Sequence, residues 1–116
     1  MDKRKITVIE FKGGFKMAIQ ELFKKVEKEI KELKVNPNNE LEKRFHDEIV
    51  ETYVIIRDCY HNQNNKDRAF IIDAQNKAAV LFNFTYRLSD KFGEQINKIF
   101  FHLFQLSRLI EISIYG

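Results

Sequence analysis

The residue types best suited to metal binding or catalysis stand in the middle of the chain. They are His46, Cys59 and His61, with Asp47, Asp58 and Asp67 close in sequence. A structural zinc site draws on paired cysteines and histidines, and Cys59 is the only cysteine. A carboxylate-bridged metal bundle needs Glu-x-x-His pairs on facing helices, and Glu42 and His46 stand one residue too far apart for that. These groups therefore read as solvated polar side chains, and neither a metal nor another cofactor is expected.

Nucleophilic catalysis is no better supported. Cys59 falls on an apolar stripe, and His61, two residues on, points to another side of the same helix. A reactive thiolate needs an electropositive, partly exposed site. Helical ribonuclease toxins pair Arg with His across a longer spacer than the three residues between Arg57 and His61, which leaves a nuclease as a minor alternative. Gly13–Gly14 lacks the Lys-Ser/Thr partner of a phosphate loop. The chain is read as non-catalytic.

Basic residues carry a stronger signal. Lys24, Lys28 and Lys31 share one face of a helix, and Lys3, Arg4, Lys5, Lys12 and Lys16 crowd the segment before it. Such a face binds phosphates by counterion release without reading sequence. The bland reading is a solvated face neutralised by intrahelical pairs, for which Glu27–Lys31 and Glu21–Lys25 have the favourable spacing. The net charge of +3 permits an anionic partner without requiring one.

The elements that must position these residues are helical. "ITVIEF" is β-branched and Gly13–Gly14 follows it, so residues 1–14 are expected to form a flexible or strand-like arm. From Phe15 the apolar residues Ile19, Leu22, Val26, Ile30 and Leu33 recur at steps of three or four. Pro37 in "NPNN" ends this helix, and Asn39 with Glu42 can cap the next. The second stripe is Leu41, Phe45, Ile49, Thr52, Ile56 and Cys59. The third, beginning near Asp67, is Phe70, Ala74, Ala78, Leu81, Thr85 and Leu88. The fourth is Ile96, Ile99, Leu103, Leu106, Ile110 and Ile114. Four such stripes joined by short loops predict an all-α, antiparallel up-down-up-down four-helix bundle over residues 15–116.

The last helix carries apolar residues beyond its stripe. Phe101, Phe104, Ile112 and Tyr115 lie on a different side around Arg108, and on the third helix Ile72, Ala79 and Tyr86 also stand off the main stripe. The N-terminal arm or a broad packed face would cover them in one reading. In the other they form a subunit contact, since aromatic residues with Arg are enriched at interfaces. The second reading predicts a homo-oligomer built through the third and fourth helices.

A lone cysteine fits a reducing compartment, and no apolar run reaches membrane-spanning length, so a cytoplasmic protein without membrane contact is expected. The order of features resembles a known family. A first amphipathic helix and a Pro-containing turn precede Arg44–Phe45 at the start of the second helix. "RAFIIDAQNKAAVLFNFTYRLSD" and the closing Ile96, Ile99, Leu103, Leu106 and Leu109 follow. This pattern is similar to the small four-helix bundles that include the accessory variability determinant (Avd) of diversity-generating retroelements and the proteins encoded in rRNA intervening sequences. The likeness runs from Met17 to Ile114. It departs at "IRDCYH", at Ser107–Arg108 and in the absence of a basic tail. The resemblance implies a barrel-shaped homopentamer that partners a reverse transcriptase and binds RNA or DNA. Lys24, Lys28, Lys31, Arg44 and Arg87 are the residues that match its basic surface. A helical chaperone or adaptor with a groove for an amphipathic partner helix is the alternative from a different class.

Overall fold

A computed structural model describes residues 3–63 and 67–115, with side chains from residue 14 onward. The chain forms α1 (Lys3–Glu32), α2 (Glu40–Asn62), α3 (Arg68–Thr85) and α4 (Lys91–Ile110), and α4 runs on into a π-helical turn, Glu111–Tyr115. The four helices pack as the antiparallel bundle that the periodicity predicts.

The start of the chain differs from expectation. The sequence predicts a flexible or strand-like arm over residues 1–14; residues 1 and 2 lie outside the described residues, and the backbone of 3–14 instead continues α1 without a break. β-branched residues lower helix propensity only slightly, and an adjoining helix can carry them. The molecule is 60 Å long, whereas a helix of α2's 23 residues spans about 35 Å. Burial in α1 begins at Ile19 among the described side chains. The basic side chains of Lys3, Arg4, Lys5 and Lys12 lie outside those described.

Local chemistry sets the helix ends. Asn39 caps α2 by accepting the Glu42 N–H at 3.2 Å, and its amide donates back to Glu42 Oε2 at 3.0 Å. Glu42 Oε1 also accepts from the Asn36 N–H at 3.1 Å, closing the "NPNN" turn. Asp90 caps α4 through the Gly93 N–H at 2.9 Å. Gln63 ends α2 in the left-handed region at φ 48°, with its N–H on the Cys59 carbonyl.

α4 is the central helix, because it packs along α3 and also against α1 and α2. α1 and α3 occupy opposite flanks. Ala74 and Ala78 are buried, and their small side chains let α3 lie close to α4. The α4 stripe enters the core as predicted from Ile96 to Ile110, and Phe100 is buried beside it. Two polar contacts tie α1 in place. His102 Nδ1 stands 2.7 Å from Glu29 Oε1, and the Tyr53 hydroxyl donates to Glu27 Oε1.

Candidate functional site

α1 turns one face to the core through Ile19, Val26 and Leu33, so Lys24, Lys28 and Lys31 point outward and are exposed. The acids interleaved with them behave differently. Glu27 is drawn to α2 by the Tyr53 hydroxyl, and Glu29 to α4 by His102. Among the described residues, Lys28 alone of the three lysines stands within 4.0 Å of a carboxylate, that of Glu32. Glu27 Oε1 accepts from the Tyr53 hydroxyl, and among the described residues the Glu27–Lys31 pair that the spacing allows is not formed. The outward strip of α1 is therefore a row of ammonium groups from which Glu29 is turned inward, while Glu27 and Glu32 stay exposed on the helix.

Arg44 and Arg87 do not join that row. Arg44 lines a groove of about 460 Å³ between α2 and α3, together with Leu41, Phe45, Glu48, Asn76, Lys77, Val80 and Leu81. Arg87 lies at the end of α3 in an adjoining hollow that shares Leu41 and Phe45. The five cations thus fall into two groups, one on α1 and one around the groove.

The proposed seam on α4 is only partly free. Phe101 packs on Phe82 with ring centroids 5.4 Å apart, Phe104 is half-buried, and Arg108 reaches Glu111 Oε1 at 3.5 Å. Ile112 is exposed. Tyr115 departs from expectation: it is buried and its hydroxyl donates to the Cys59 carbonyl at 3.0 Å. The π-helical turn widens the last coil and shifts its phase, which carries Tyr115 off the outer face into the core.

The larger uncovered apolar surface is elsewhere. Leu41, Phe70, Val80, Phe84 and Tyr86 are 60%, 58%, 66%, 60% and 74% exposed. Leu41 and Phe70 were expected in the core stripes. The α3 stripe is rotated instead toward Ile71, Ala74, Gln75 and Ala78. One signal was available in the sequence: Phe70, Lys77 and Phe84 recur every seven residues, with Val80 between the last two.

The catalytic candidates are dispersed. Cys59 is buried, its Sγ is 3.7 Å from the Asp67 carbonyl, and burial pushes its thiol pKa up, the reverse of an activated thiolate. The Arg57 guanidinium lies over the Tyr53 ring at 5.8 Å and 3.7 Å from Asp58, while the His61 ring sits beside Tyr60. No three His, Cys, Asp or Glu side chains converge on a metal position among the described residues. None of the described helices is long and apolar enough to cross a membrane. Comparison of the sequence with protein-family models finds no match, and neither curated proteins nor solved structures provide one.

Proposed function

We propose that this chain is a non-catalytic accessory protein of the Avd kind, a cytoplasmic, oligomeric scaffold that binds nucleic acid along α1 and works beside a reverse transcriptase. The observation that supports nucleic-acid binding is the outward row Lys24, Lys28 and Lys31, of which, among the described residues, only Lys28 stands within 4.0 Å of a carboxylate, that of Glu32. Ammonium groups held in line along a helix neutralise successive phosphates and release counterions, giving affinity without base readout. The partnership with a reverse transcriptase rests on the resemblance of helix order and of the Arg44–Phe45 start of α2. A salt titration of binding to single-stranded and duplex RNA tests the reading. Lys24→Glu with Lys28→Glu should lower affinity by about tenfold or more and reduce the salt slope by roughly two. Unchanged affinity in that variant would remove α1 as the binding face.

The groove between α2 and α3 favours a second reading, an adaptor that holds an amphipathic partner helix. It predicts a protein that captures a helical peptide and ignores RNA.

A further inference from the structure

We infer that the exposed face of α3 is a two-fold contact with a second copy of this chain, the two α3 helices lying antiparallel across one another. This departs from the five-copy ring that the resemblance implies, and it leaves the nucleic-acid face, on the opposite flank of the bundle, as proposed.

The pattern of the face points to a helix as its occupant. Phe70, Asp73, Lys77, Val80 and Phe84 follow steps of three and four along one line of α3, the spacing of a helix–helix seam. The line is about 21 Å long from Phe70 to Phe84, and Leu41 of α2 flanks it beside the groove.

The order of side chains along the line points to a copy rather than a different helix. Phe70 and Phe84 stand seven residues either side of Lys77. An antiparallel copy centred on Lys77 therefore sets Phe70 opposite Phe84 twice, and one half of the contact repeats the other. Charge is compatible with this arrangement. Lys77 is already paired with Glu48 and has Glu51 at 3.8 Å, so two such lysines can approach an axis without unbalanced repulsion. Asp73 lies one turn from Lys77, within reach of the opposing Lys77 in such a pair. The same carboxylates, Glu48, Glu51 and Asp73, make the face a poor one for phosphates.

The area agrees as well. Phe70, Phe84, Leu41 and Val80 at their observed exposures leave roughly 400–450 Å² of apolar surface in water. A stable dimer buries about 800 Å² on each partner, of which somewhat over half is apolar. The face thus has about the apolar area that one partner of a dimer contributes.

Sedimentation velocity tests the proposal. The purified chain should sediment with twice its 13.9 kDa mass, and Val80→Asp with Phe84→Glu should halve that mass. Both substituted side chains are exposed within one chain, so the helical circular dichroism should be unchanged. Disulfide trapping gives a second measure that preserves the face. A mixture of Phe70→Cys and Phe84→Cys chains should form a cross-linked pair, whereas Phe84→Cys alone should not. A single-chain mass overturns the proposal, and a single chain that captures an amphipathic peptide would hand the groove to the adaptor reading. A five-copy mass overturns it too, because a ring uses a head-to-tail contact instead of a two-fold one. Efficient cross-linking of Phe84→Cys to itself contradicts the antiparallel register.

Discussion

Glu29 and His102 join α1 to α4 through a contact of 2.7 Å between side chains that are 15% and 8% exposed. They are 73 residues apart in sequence. Lys98 stands at 4.0 Å from the other Glu29 oxygen. Removing one member leaves the other desolvated beside an apolar core, which costs more than the bond itself. His102→Leu is expected to lower the unfolding free energy by about 2–4 kcal/mol. Glu29→Gln, which keeps a hydrogen-bonding group, should cost less. A double-mutant cycle from urea melts should return a coupling of about 1–3 kcal/mol. A coupling near zero would mean that the pair does not hold α1.

Tyr53 predicts a loss of stability at alkaline pH. Its hydroxyl pKa is pushed well above the usual 10.0, first by burial and then by its hydrogen bond to Glu27 and that residue's charge, with Arg57 opposing. Burial also raises the Tyr115 hydroxyl. The folded state therefore favours the protonated phenol more than the unfolded chain does. That contribution is complete below the unfolded value and is lost as pH rises through the folded one. Unfolding free energy should fall above pH 10 by up to about 1.4 kcal/mol per pH unit for each such tyrosine. Tyr53→Phe should cost about 1 kcal/mol at neutral pH and make the alkaline decline less steep. An identical decline in that variant would exclude Tyr53 as its source.

Two helical glycines, Gly93 and Gly14, should respond to alanine in opposite directions. A Cβ at Gly93 would overlap the Leu88 side chain and the Asp90 carboxylate that caps α4. Gly93→Ala is therefore expected to destabilise by about 1–3 kcal/mol. A Cβ at Gly14 meets nothing within 4 Å, and Gly14→Ala should stabilise by about 0.5–1 kcal/mol through the lower entropy of the unfolded chain. Thermal melts of the two variants on either side of the parent would agree with this, and shifts of the same sign would contradict it.

Thr52 offers a stabilising change. It is fully buried and its Oγ1 has no hydrogen-bond partner among the described atoms. Thr52→Val keeps the branched shape and removes an unpaired hydroxyl, and should raise stability by about 1 kcal/mol. A lower denaturation midpoint would show that the hydroxyl is satisfied in solution.

The sequence carries the bundle because apolar steps of three and four define each helix, and the Asn39–Glu42 cap is local chemistry that reads directly. It is less informative about which of two apolar lines on a helix is covered. α3 has both Ile71–Ala74–Ala78 and Phe70–Val80–Phe84, and only packing against α4 selects the first. α-Helical phase extended to Tyr115 puts it on the outer face, because the phase misses the widening into a π-turn. His102 and Gln75 are buried although polar. For His102 the reason lies on α1, at Glu29, a partner that no window of neighbouring residues reveals. The lysines of α1 were legible as a face. The contacts that hold Glu27 and Glu29 were not, because Tyr53 and His102 arrive from other helices.

The central position of α4 also sets an order of detachment. α2 and α3 close on α4 and on each other, whereas α1 packs chiefly on α4, through Ile19, Val26 and Leu33 with Leu22, Phe23 and Ile30 beside them, and through the Glu27 and Glu29 contacts. Partial opening will then begin with α1 lifting away while the other three helices stay together, and α1 amides will exchange with solvent deuterium first. The helix that carries the lysine row is thus the most readily released unit of the fold. A polyanion bound to that row loads the very element that peels first. Slowed exchange confined to α1 would be the footprint of such a ligand.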